Sequence, residues 1–571
     1  MTPRDSNLPR VRRASAIGLV CLFLVLWFGA LEYRELFHPD EGRYAEIPRE
    51  MLASGDWITP RLNGLKYFDK PALQYWITAA VYWVLGEDEW TARLWPALSG
   101  LLTLVLVYYA GRRLAGARAG LAAAVLLACT FQYFLFSQVL TLDMGLTFFM
   151  TLALSAFLAS QDARGTPVQC RNWAVLAWVA MALAVLSKGL VGVVLPALVL
   201  VAYIVVERDW KLLGRLSWGP GLLAFLVIVL PWFVWVQLRN PEFFQIFFIR
   251  EHFGRYALHE HHRAGPWYYY LVVLLVGSVP WSFPYFKATI GSWRKPSSGN
   301  LKINPNRLLV LWVILIVVFF SLSASKLSGY ILPVYPALAL LLGCKVQQEE
   351  LRISPRYLIG IGASGIAIAA AAPFITRIPQ FVNDADLIAP YVPWGVAGGC
   401  TLTAAALLGW MATRGRSGLA LPAVALGTLL AFQILVTGAE SIASQFSSKD
   451  LVKRAQDGFG GFDPDIPFFS LGLYDQTLPL HLRRTLTIVN FRGELATGIS
   501  LEPERVLSSI EEFRNLWQAR PQAYAIITRE QFAEEQAVGT PMVVLAGNRK
   551  ALIVARETPS ETTRRPPQAT L

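Results

Sequence analysis

Charged residues are scarce in this chain. Asp, Glu, Lys and Arg make up 16% of its 571 residues, whereas soluble proteins contain about 25%. Hydrophobic residues account for 54%, and the mean hydropathy is +0.44. This composition excludes a disordered chain, and a single-core globular enzyme, a coiled coil or a nucleic-acid-binding protein does not fit it. It indicates a polytopic α-helical membrane protein.

Cysteine is scarce as well. The five cysteines are Cys21, Cys129, Cys170, Cys344 and Cys400, and four of them lie within or at the edge of apolar runs. They are scattered, and no CxxC spacing occurs. The sequence therefore predicts neither a cysteine metal site nor a disulfide framework.

Long hydrophobic runs dominate the first 440 residues. The run at 14–31 follows three arginines and lacks a small-residue cleavage site, so we interpret it as a retained span behind a cytoplasmic tail, residues 1–13. Further runs lie at 93–111, 119–136, 144–160, 173–187, 189–206, 218–238, 267–286, 308–322, 329–344, 357–375, 393–412 and 418–437. We predict about thirteen transmembrane helices, each near the length that a bilayer requires.

The basic residues predict the orientation of these helices. The net charge is +12, and if the helices alternate, every second loop is basic: 112–118, 164–171, 208–215, 287–307, 345–356 and 414–416. The positive-inside rule places these loops in the cytoplasm. Two segments on the opposite side, 32–92 and 239–266, are long, charged and aromatic. We expect the function to lie there.

The composition changes at about residue 440. Apolar runs of strand length, at 467–473, 486–490, 523–528, 542–545 and 551–555, alternate with helix-like stretches at 503–519 and 529–536. This alternation predicts a small α/β domain. The predicted division is thus a membrane domain at 14–439, which includes the first outer loop at 32–92, an outer α/β domain at 440–557, and a disordered tail at 558–571.

The first outer loop concentrates groups that can carry chemistry. Residues 38–50 read HPDEGRYAEIPRE, with Asp40 and Glu41 in a turn before a predicted amphipathic helix. Capping of that helix is one interpretation of the two carboxylates. A second amphipathic stretch, FDKPALQYWITAAVYWVLG, carries aromatic residues suited to the membrane interface. Carboxylates beside cations and aromatic rings also suit a phosphate-bearing lipid and a sugar, which is the functional interpretation.

These motifs resemble a known family. HPDEGRYAEIPREM followed by YFDKPALQYW is similar to the bacterial aminoarabinose transferases, the ArnT-type family of GT-C-fold glycosyltransferases related to protein O-mannosyltransferases. The similarity continues to about residue 345, at FSQVLTLDM, LSKGLVGVVLP, FFIREHFGRY, HRAGPWYYY and SASKLSGYILPVYPALALLLG. It implies the GT-C fold, with juxtamembrane helices in the first periplasmic loop and a periplasmic C-terminal domain.

The resemblance also implies roles for individual residues. The expected catalytic residues are Asp40, Glu41 and Asp143. Asp40 matches the catalytic acidic residue of the first loop, with Glu41 beside it, and Asp143 matches a second acidic position that we expect to bind the sugar. The expected substrate-binding residues are Arg43, Tyr44, Arg61, Tyr67, Lys70, Arg255, Lys326 and Tyr330. Arginine–carboxylate pairing inside the loop is the alternative for its cations. We interpret Lys188 as a helix-end residue whose stem covers apolar surface.

A histidine-rich segment raises the question of a metal. His259 and His261, in REHFGRYALHEHHR, are of a type that zinc uses. The segment contains no HExxH motif, however, and a sugar donor with a phosphate leaving group does not require a metal. We therefore expect no required cofactor, with a non-catalytic zinc at these histidines as the alternative.

The activity implied by the resemblance is a lipid-to-lipid sugar transfer. The enzyme would move 4-amino-4-deoxy-L-arabinose from undecaprenyl phosphate to a lipid A phosphate, with inversion, and thereby confer resistance to polymyxin and cationic antimicrobial peptides. It would act as a monomer at the periplasmic face of the Gram-negative inner membrane, among membrane lipids and without nucleic acid. A protein O-mannosyltransferase-like enzyme and a lipid or sugar transporter are the alternatives.

The orientation can be tested with reporter tags. Because the basic loops fix the topology, a tag at the N-terminus should report from the cytoplasm and a tag after residue 450 from the periplasm. A cytoplasmic signal from the second tag would show that the predicted number of spans is wrong by one.

Overall fold

The computed structural model describes residues 8–254, 265–295, 300–348, 355–378, 382–414 and 420–556. The chain divides into two compact units. The first, here the membrane unit, runs up to Arg34 and then comprises Arg93–Val234 and Phe247–Ser441. The second, here the loop unit, comprises Glu35–Ala92, Trp235–Ile246 and the chain from Ile442 onward. The first outer loop thus groups with C-terminal residues, whereas the sequence pattern had placed it in the membrane domain.

Long apolar helices account for most of the membrane unit. The α-helices of span character are Leu8–Phe28, Glu89–Ala115, Ala117–Ala128, Phe131–Ser137, Asp143–Ser160, Pro167–Lys188, Val191–Glu207, Trp218–Arg239, Tyr269–Gly277, Ser282–Trp293, Pro305–Leu322, Tyr335–Gln348, Pro355–Ala371, Val392–Arg414 and Ala420–Gly438. Short helical turns follow or precede them at Lys211–Gly214, Gln245–Gly254, Ser328–Val334, Ala372–Arg377, Val382–Asp384, Ala385–Ile388, Ala389–Tyr391 and Ala439–Gln445. Every predicted apolar run coincides with a helix.

The lengths of these helices fit an integral membrane protein. Within the described residues, nine helical segments are long and apolar enough to cross a membrane, and two further pairs are bent, by 71° and 113°. Counting each bent pair as one span gives eleven. Two shorter apolar helices, Ile17–Phe28 and Val191–Glu207, coincide with the other two predicted runs. The membrane character is confirmed, and the number of thirteen spans stays a prediction.

Buried polar groups of the membrane unit pair with backbone carbonyls near its first helix. Arg93, 1% exposed, donates to the carbonyl of Leu31 at 2.8 Å and to that of Arg34. The Trp27 indole donates to the Ala97 carbonyl at 3.0 Å. A buried guanidinium without acceptors would cost several kcal/mol, roughly as for any unpaired buried charge. These hydrogen bonds therefore fix the end of the first helix against the helix Glu89–Ala115.

The loop unit begins with two helices separated by a hairpin. The helix Asp40–Ser54, here the loop helix, leads to strands β1 (Arg61–Leu62) and β2 (Leu65–Lys66), and the helix Leu73–Leu85 follows. Asn63 and Gly64 connect the strands with φ of 55° and 75°. Such a two-residue loop with both φ positive favours Asn-Gly, so this dipeptide is the local cause of the hairpin. The two predicted amphipathic helices of the loop are confirmed.

A mixed five-stranded sheet forms the core of the C-terminal part of the loop unit. Its strands are β3 (Phe468–Leu471), β4 (Thr487–Val489), β5 (Tyr524–Thr528), β6 (Val543–Gly547) and β7 (Ala551–Ala555), in the order β4-β3-β5-β7-β6. β3 is parallel to β4 and β5, and β7 is antiparallel to β5 and β6. The accompanying helices are Lys449–Phe459, Leu478–Leu482, Ala496–Leu501, Ile510–Ala519 and Arg529–Ala537. The predicted α/β character and all five predicted strands are confirmed.

Buried polar contacts join the hairpin to the C-terminal part. The Asn63 side chain donates to the Leu486 carbonyl at 2.8 Å and accepts from the Leu486 N–H at 2.7 Å. The Glu50 carboxylate accepts from the N–H groups of Asn63 and Gly64 at 2.5 and 2.8 Å. The hairpin loop is therefore held from both sides, by the loop helix and by the chain leading into β4.

The loop helix carries a buried cluster of charges. Arg49 pairs with Glu46 through two contacts of 2.6 Å. Burial raises the pKa of Glu46 and, together with the nearby charge of Glu46, raises the pKa of Glu50 to about 8. A raised carboxyl pKa means that the folded state holds its proton more tightly than the unfolded state, so ionisation of Glu50 lowers stability between its ordinary pKa and about 8.

The Asn63 contacts predict a specific stability effect. Asn63→Ala leaves the buried N–H and C=O of Leu486 without their side-chain partner. The alanine must also adopt a positive φ, and it has no side-chain hydrogen bond that compensates for the backbone strain. We expect a loss of about 2–4 kcal/mol in the free energy of unfolding of the loop unit, measured by thermal or denaturant unfolding. Asn63→Gly relieves the backbone strain and removes the same hydrogen bonds. If the Gly variant is as stable as wild type, the contacts with Leu486 do not stabilise the fold.

Candidate active site

Asp40 is the exposed carboxylate of the first loop. It begins the loop helix, and its side chain is 46% exposed. Its Oδ1 lies 3.3 Å from Nη1 of Arg43, one helical turn later. The N-terminal end of a helix favours negative charge, and the guanidinium adds to that effect. Asp40 is therefore an accessible carboxylate at the start of a helix, beside a cation.

Glu41 has a different environment. It is 2% exposed, and its carboxylate accepts a hydrogen bond of 3.0 Å from the N–H of Phe37, just before the loop helix. This contact orders the chain that enters the helix, whereas the helix itself has no side-chain cap hydrogen bond. Its catalytic assignment stays a sequence-based prediction.

Arg43 lies between two carboxylates. Its Nη1 contacts Asp40, and its Nη2 pairs with Glu494 of the C-terminal part. Glu494 is held in turn by the Gln476 amide, which donates at 2.6 Å. A Cβ at Gly42 would lie 2.7 Å from the backbone carbonyl carbon of Gln476, so glycine is required for this close approach. The 7% exposed Arg43 is thus positioned by residues from the opposite end of the chain.

Tyrosines and a lysine complete this cluster. The Tyr67 hydroxyl donates to Oδ2 of Asp69 at 3.0 Å, and the Lys70 ammonium donates to the Asp69 carbonyl at 2.9 Å. The Arg43 guanidinium lies 5.5 Å from the centre of the Tyr44 ring. Burial raises the pKa of Tyr67, so this phenol is a neutral hydrogen-bond donor. We call Asp40, Arg43, Tyr44, Tyr67 and Lys70 the loop cluster.

Arg61 contacts the β1–β2 hairpin and Glu502 of the C-terminal part. Its Nη1 donates to the Gly64 carbonyl at 2.7 Å and to both carboxylate oxygens of Glu502 at 3.0 Å. Glu502 also accepts from the Lys66 N–H at 2.9 Å. This is the arginine–carboxylate pairing that the sequence left open as the alternative, and the predicted substrate contact of Arg61 stays a prediction.

Asp143 lies in a second cluster, in the membrane unit. It begins the helix Asp143–Ser160, and its Oδ1 contacts the ammonium of Lys188, the last residue of Pro167–Lys188. The side chains of Asp143 and Lys188 are only 14% and 10% exposed. The Lys188 ammonium lies 5.0 Å from the centre of the Tyr330 ring. A Cβ at Gly329 would lie 2.7 Å from the Asp143 carboxyl carbon, so glycine is needed beside it.

Lys326 contacts backbone carbonyls. Its ammonium donates to the carbonyls of Ser321 and Ser323 at 2.8 and 3.0 Å, at the C-terminal end of Pro305–Leu322. A cation at this end of a helix satisfies free carbonyls and complements the helix dipole. The geometry gives Lys326 a capping role, and its predicted substrate contact stays a prediction.

Three predicted residues lie outside the described residues: Arg255, His259 and His261. Within the part of the chain that the structure describes, no group of three or more His, Cys, Asp or Glu side chains could hold a metal ion.

Two contacts were not predicted from the sequence. Glu494 lies in the part of the chain where no motif was recognised, and nothing local predicts its pairing with Arg43. Lys188 was interpreted as a helix-end residue, whereas its ammonium pairs with Asp143. A signal for this pair existed, because ionisable residues at the edge of membrane helices usually pair with one another.

Comparisons with known proteins define the class of this fold. The sequence profile described as dolichyl-phosphate-mannose-protein mannosyltransferase matches residues 14–247, and the profile described as aminoarabinose transferase C-terminal domain matches residues 460–556. The oligosaccharyltransferase AglB from Archaeoglobus fulgidus has a similar fold, with a TM-score of 0.50 at 13% identity over 91% of this chain and 70% of that one. The chain is a membrane glycosyltransferase of the GT-C fold.

Closer relatives specify the family. An undecaprenyl phosphate-α-4-amino-4-deoxy-L-arabinose arabinosyl transferase of Pseudomonas fluorescens is 36% identical over 392 residues, which cover 67% of this chain and 69% of the relative. The crystal structure of ArnT from Cupriavidus metallidurans bound to undecaprenyl phosphate matches with a TM-score of 0.89 and 35% identity, over 97% of this chain and 99% of that one. The chain belongs to the aminoarabinose transferase family, which confirms the predicted family, fold and enzyme class.

The pairing of Arg43 predicts a role for Glu494. Glu494→Gln removes the negative charge with which the C-terminal part pairs Arg43. The Arg43 guanidinium can then move toward Asp40 and displace the Asp40 carboxylate from its position. Charge-assisted hydrogen bonds contribute about 1.5–3 kcal/mol, and we expect kcat to fall by roughly ten- to a hundredfold. KM for the sugar donor should change little, because Glu494 acts through Arg43.

The matched control is Glu530→Gln, an exposed glutamate of the same unit. Both variants are compared with wild type for kcat, KM and melting temperature. Equal losses of kcat in the two variants, or a normal kcat in Glu494→Gln, would contradict this positioning role.

Proposed function

We propose that this chain transfers 4-amino-4-deoxy-L-arabinose from undecaprenyl phosphate to a phosphate of lipid A, with inversion. The names of its relatives supply the donor and the sugar. The single observation that carries the proposal is the half-exposed Asp40 carboxylate, held by buried Arg43 at the start of the loop helix. Modification of lipid A in this way reduces its negative charge and would give resistance to polymyxin and other cationic peptides.

The chemistry fits an exposed carboxylate held beside a cation. An oxygen of the acceptor phosphate attacks the anomeric carbon, the bond from that carbon to the carrier phosphate breaks, and undecaprenyl phosphate leaves with the bonding electrons. The acceptor phosphate is already anionic near neutral pH, so Asp40 need not remove a proton. Its role is to orient the acceptor and to stabilise the positive charge that develops at the anomeric centre.

The cations of the loop cluster suit the carrier phosphate. Lys70 precedes Pro71 and the helix Leu73–Leu85, whose N-terminal N–H groups favour an anion. The Nε of Arg43 is buried and has no hydrogen-bond partner within the described residues. We assign the phosphate to Lys70 and to this N–H, and Tyr67, whose hydroxyl donates to Asp69, stays a sequence-based candidate. Arg255 stays a sequence-based candidate for the same phosphate.

Asp143 is proposed to bind the amine of a sugar. Its Oδ1 already contacts the Lys188 ammonium. A carboxylate can nevertheless accept a second hydrogen bond from an ammonium group through its other oxygen. The Tyr330 ring beside Lys188 supplies a face against which a sugar ring can pack.

The location follows from the distribution of charge. We propose that the protein lies in the Gram-negative inner membrane, with the N-terminus and the basic loops in the cytoplasm and the loop unit in the periplasm. It would act there as a monomer, surrounded by membrane lipids.

A second candidate differs in its acceptor. The profile that matches residues 14–247 describes enzymes that transfer mannose to protein. A protein hydroxyl must lose a proton during the transfer, and Asp40 would then act as a general base. The two candidates are distinguished by whether the sugar appears on lipid A or on protein.

Asp40→Asn tests the catalytic assignment. The substitution keeps the shape of the side chain and removes its charge, so we expect transfer to fall at least about a thousandfold, as for other groups that stabilise charge in the transition state. Mass spectrometry of lipid A, from cells that carry the variant and lack any other such enzyme, measures the result.

Asp450→Asn is the matched control. Asp450 is also 46% exposed, also lies in the first turn of a helix, and pairs with Arg454 at 3.1 Å. This control should modify lipid A normally. Normal modification by a well-folded Asp40→Asn protein would contradict the catalytic role of Asp40, and sugar on protein in place of lipid A would favour the second candidate.

A further inference from the structure

A large apolar groove lies in the membrane unit, and the transfer reaction gives it no role. Four helices line it: Leu8–Phe28, Glu89–Ala115, Ala117–Ala128 and Ala420–Gly438. Its volume is about 550 Å³, and its lining is almost entirely apolar. Several lining side chains are open to the surroundings, with exposures of 57% for Val20, 43% for Val105 and 56% for Leu121. The groove therefore opens toward the hydrocarbon region of the membrane.

Two arginines mark one end of this groove. Arg112 follows the lining residue Tyr108 by one helical turn, and Arg118 precedes the lining residue Leu121 by nearly one turn. Residues three or four apart lie on the same face of a helix. Both arginines are exposed, and no carboxylate of the described chain lies within ion-pair distance of either. Arg113, between them in sequence, pairs with Asp162.

Close helix packing brings these two arginines to the same place. A Cβ at Gly120 would lie 2.3 Å from the Tyr108 carbonyl oxygen and 2.9 Å from the Arg112 backbone nitrogen. A Cβ at Gly111 would lie 2.8 Å from the Gly120 Cα. The two glycines let the helices touch at their backbones, just beside the turn that joins them. The helix segments that carry Arg112 and Arg118 therefore meet at one crossing, near the lining residues Tyr108 and Leu121.

The groove, Tyr109 and the two arginines match the successive parts of a phospholipid. The apolar groove suits an acyl chain. The phenol of Tyr109, which is 58% exposed, suits the interfacial ester region of a lipid. The two arginines, which have no ion-pair partner in the described chain, suit a phosphate. Basic pockets between transmembrane helices on the cytoplasmic side bind anionic head groups. We propose that this groove is a specific site for one anionic glycerophospholipid of the phosphatidylglycerol type, with its phosphate between Arg112 and Arg118.

A zwitterionic lipid fits this site less well. Phosphatidylethanolamine carries its own ammonium beside the phosphate, so two arginines gain less from binding it. A polyprenyl phosphate shares the phosphate but lacks the glycerol esters that would meet Tyr109. The proposal does not depend on the transfer reaction, because none of these residues belongs to the loop cluster or contacts Asp143.

Native mass spectrometry of the delipidated full chain tests the site. The protein in detergent is titrated separately with phosphatidylglycerol, phosphatidylethanolamine and undecaprenyl phosphate. We expect one phosphatidylglycerol per chain, bound about tenfold or more tightly than phosphatidylethanolamine. The double variant Arg112→Ala/Arg118→Ala should bind phosphatidylglycerol about thirtyfold more weakly, the loss expected for two basic contacts.

Two further variants separate this site from general effects. Arg171→Ala/Lys211→Ala removes two other exposed cations and should leave the preference for phosphatidylglycerol unchanged. Ala124→Trp places a large side chain in the groove, with Val105→Trp at its rim as the alternative if the first variant does not fold. Either should abolish the stoichiometric lipid, with the melting temperature as the measure of folding.

Three outcomes would overturn the proposal. Equal binding of phosphatidylglycerol and phosphatidylethanolamine would make the groove an ordinary lipid-facing surface. An unchanged preference in the Arg112→Ala/Arg118→Ala variant would place the phosphate elsewhere. Preferential binding of undecaprenyl phosphate that is lost in the tryptophan variants would make the groove a site for the polyprenyl carrier.

Discussion

A buried arginine is stable only when its guanidinium has hydrogen-bonding or charged partners, and the contacts of Arg43 in the loop unit satisfy this constraint. Arg43 is 7% exposed, and an unpaired guanidinium at that depth would be strongly destabilising. Its partners are Asp40, three residues before it, and Glu494 in the C-terminal part. The loop helix therefore reaches its low-energy arrangement only when the C-terminal part has folded against it. Asn63 with Leu486 and Arg61 with Glu502 depend on the same association. The C-terminal part therefore helps to position Arg43 in the candidate active site.

The sequence predicted elements whose causes are local. Strands β3 to β7 appeared as short apolar runs between polar helical stretches, and the juxtamembrane helices appeared as amphipathic stretches. The hairpin β1–β2 was not predicted, although Asn63-Gly64 carries its signal. Contacts between distant segments could not be predicted from local patterns. Arg61 and Glu502 are 441 residues apart, and only the folded chain shows that this cation is engaged by a carboxylate. Family resemblance supplied Asp40 and Asp143 but not the partners that determine what each can do.

Those partners separate the two acidic residues chemically. Asp143 is 14% exposed and contacts the ammonium of Lys188, so its charge is largely neutralised before any ligand binds. Asp40 is 46% exposed, and its cation lies at 3.3 Å and is shared with Glu494. Because Arg43 is shared between two carboxylates, Asp40 is less closely paired with its cation than Asp143 is. An oxocarbenium-like centre is stabilised by a carboxylate in that state. From this difference we propose the electrostatic role for Asp40 and a hydrogen-bonding role for Asp143.

Cations that look equivalent in the sequence also differ in the hydrogen-bond acceptors that surround them. Nη1 of Arg61 donates to a carboxylate, and the Lys326 ammonium donates to two backbone carbonyls. A phosphate would have to displace these acceptors, and the hydrogen bonds lost would be comparable in energy to those gained. Arg43 retains a buried N–H without a partner within the described residues, and a ligand oxygen there removes an existing penalty. Arg112 and Arg118 are exposed, so a phosphate between them gains less per contact and depends on the apolar groove for the rest of its affinity. We therefore propose that the acceptors a cation already has, together with its charge, influence which cations of this protein bind substrate.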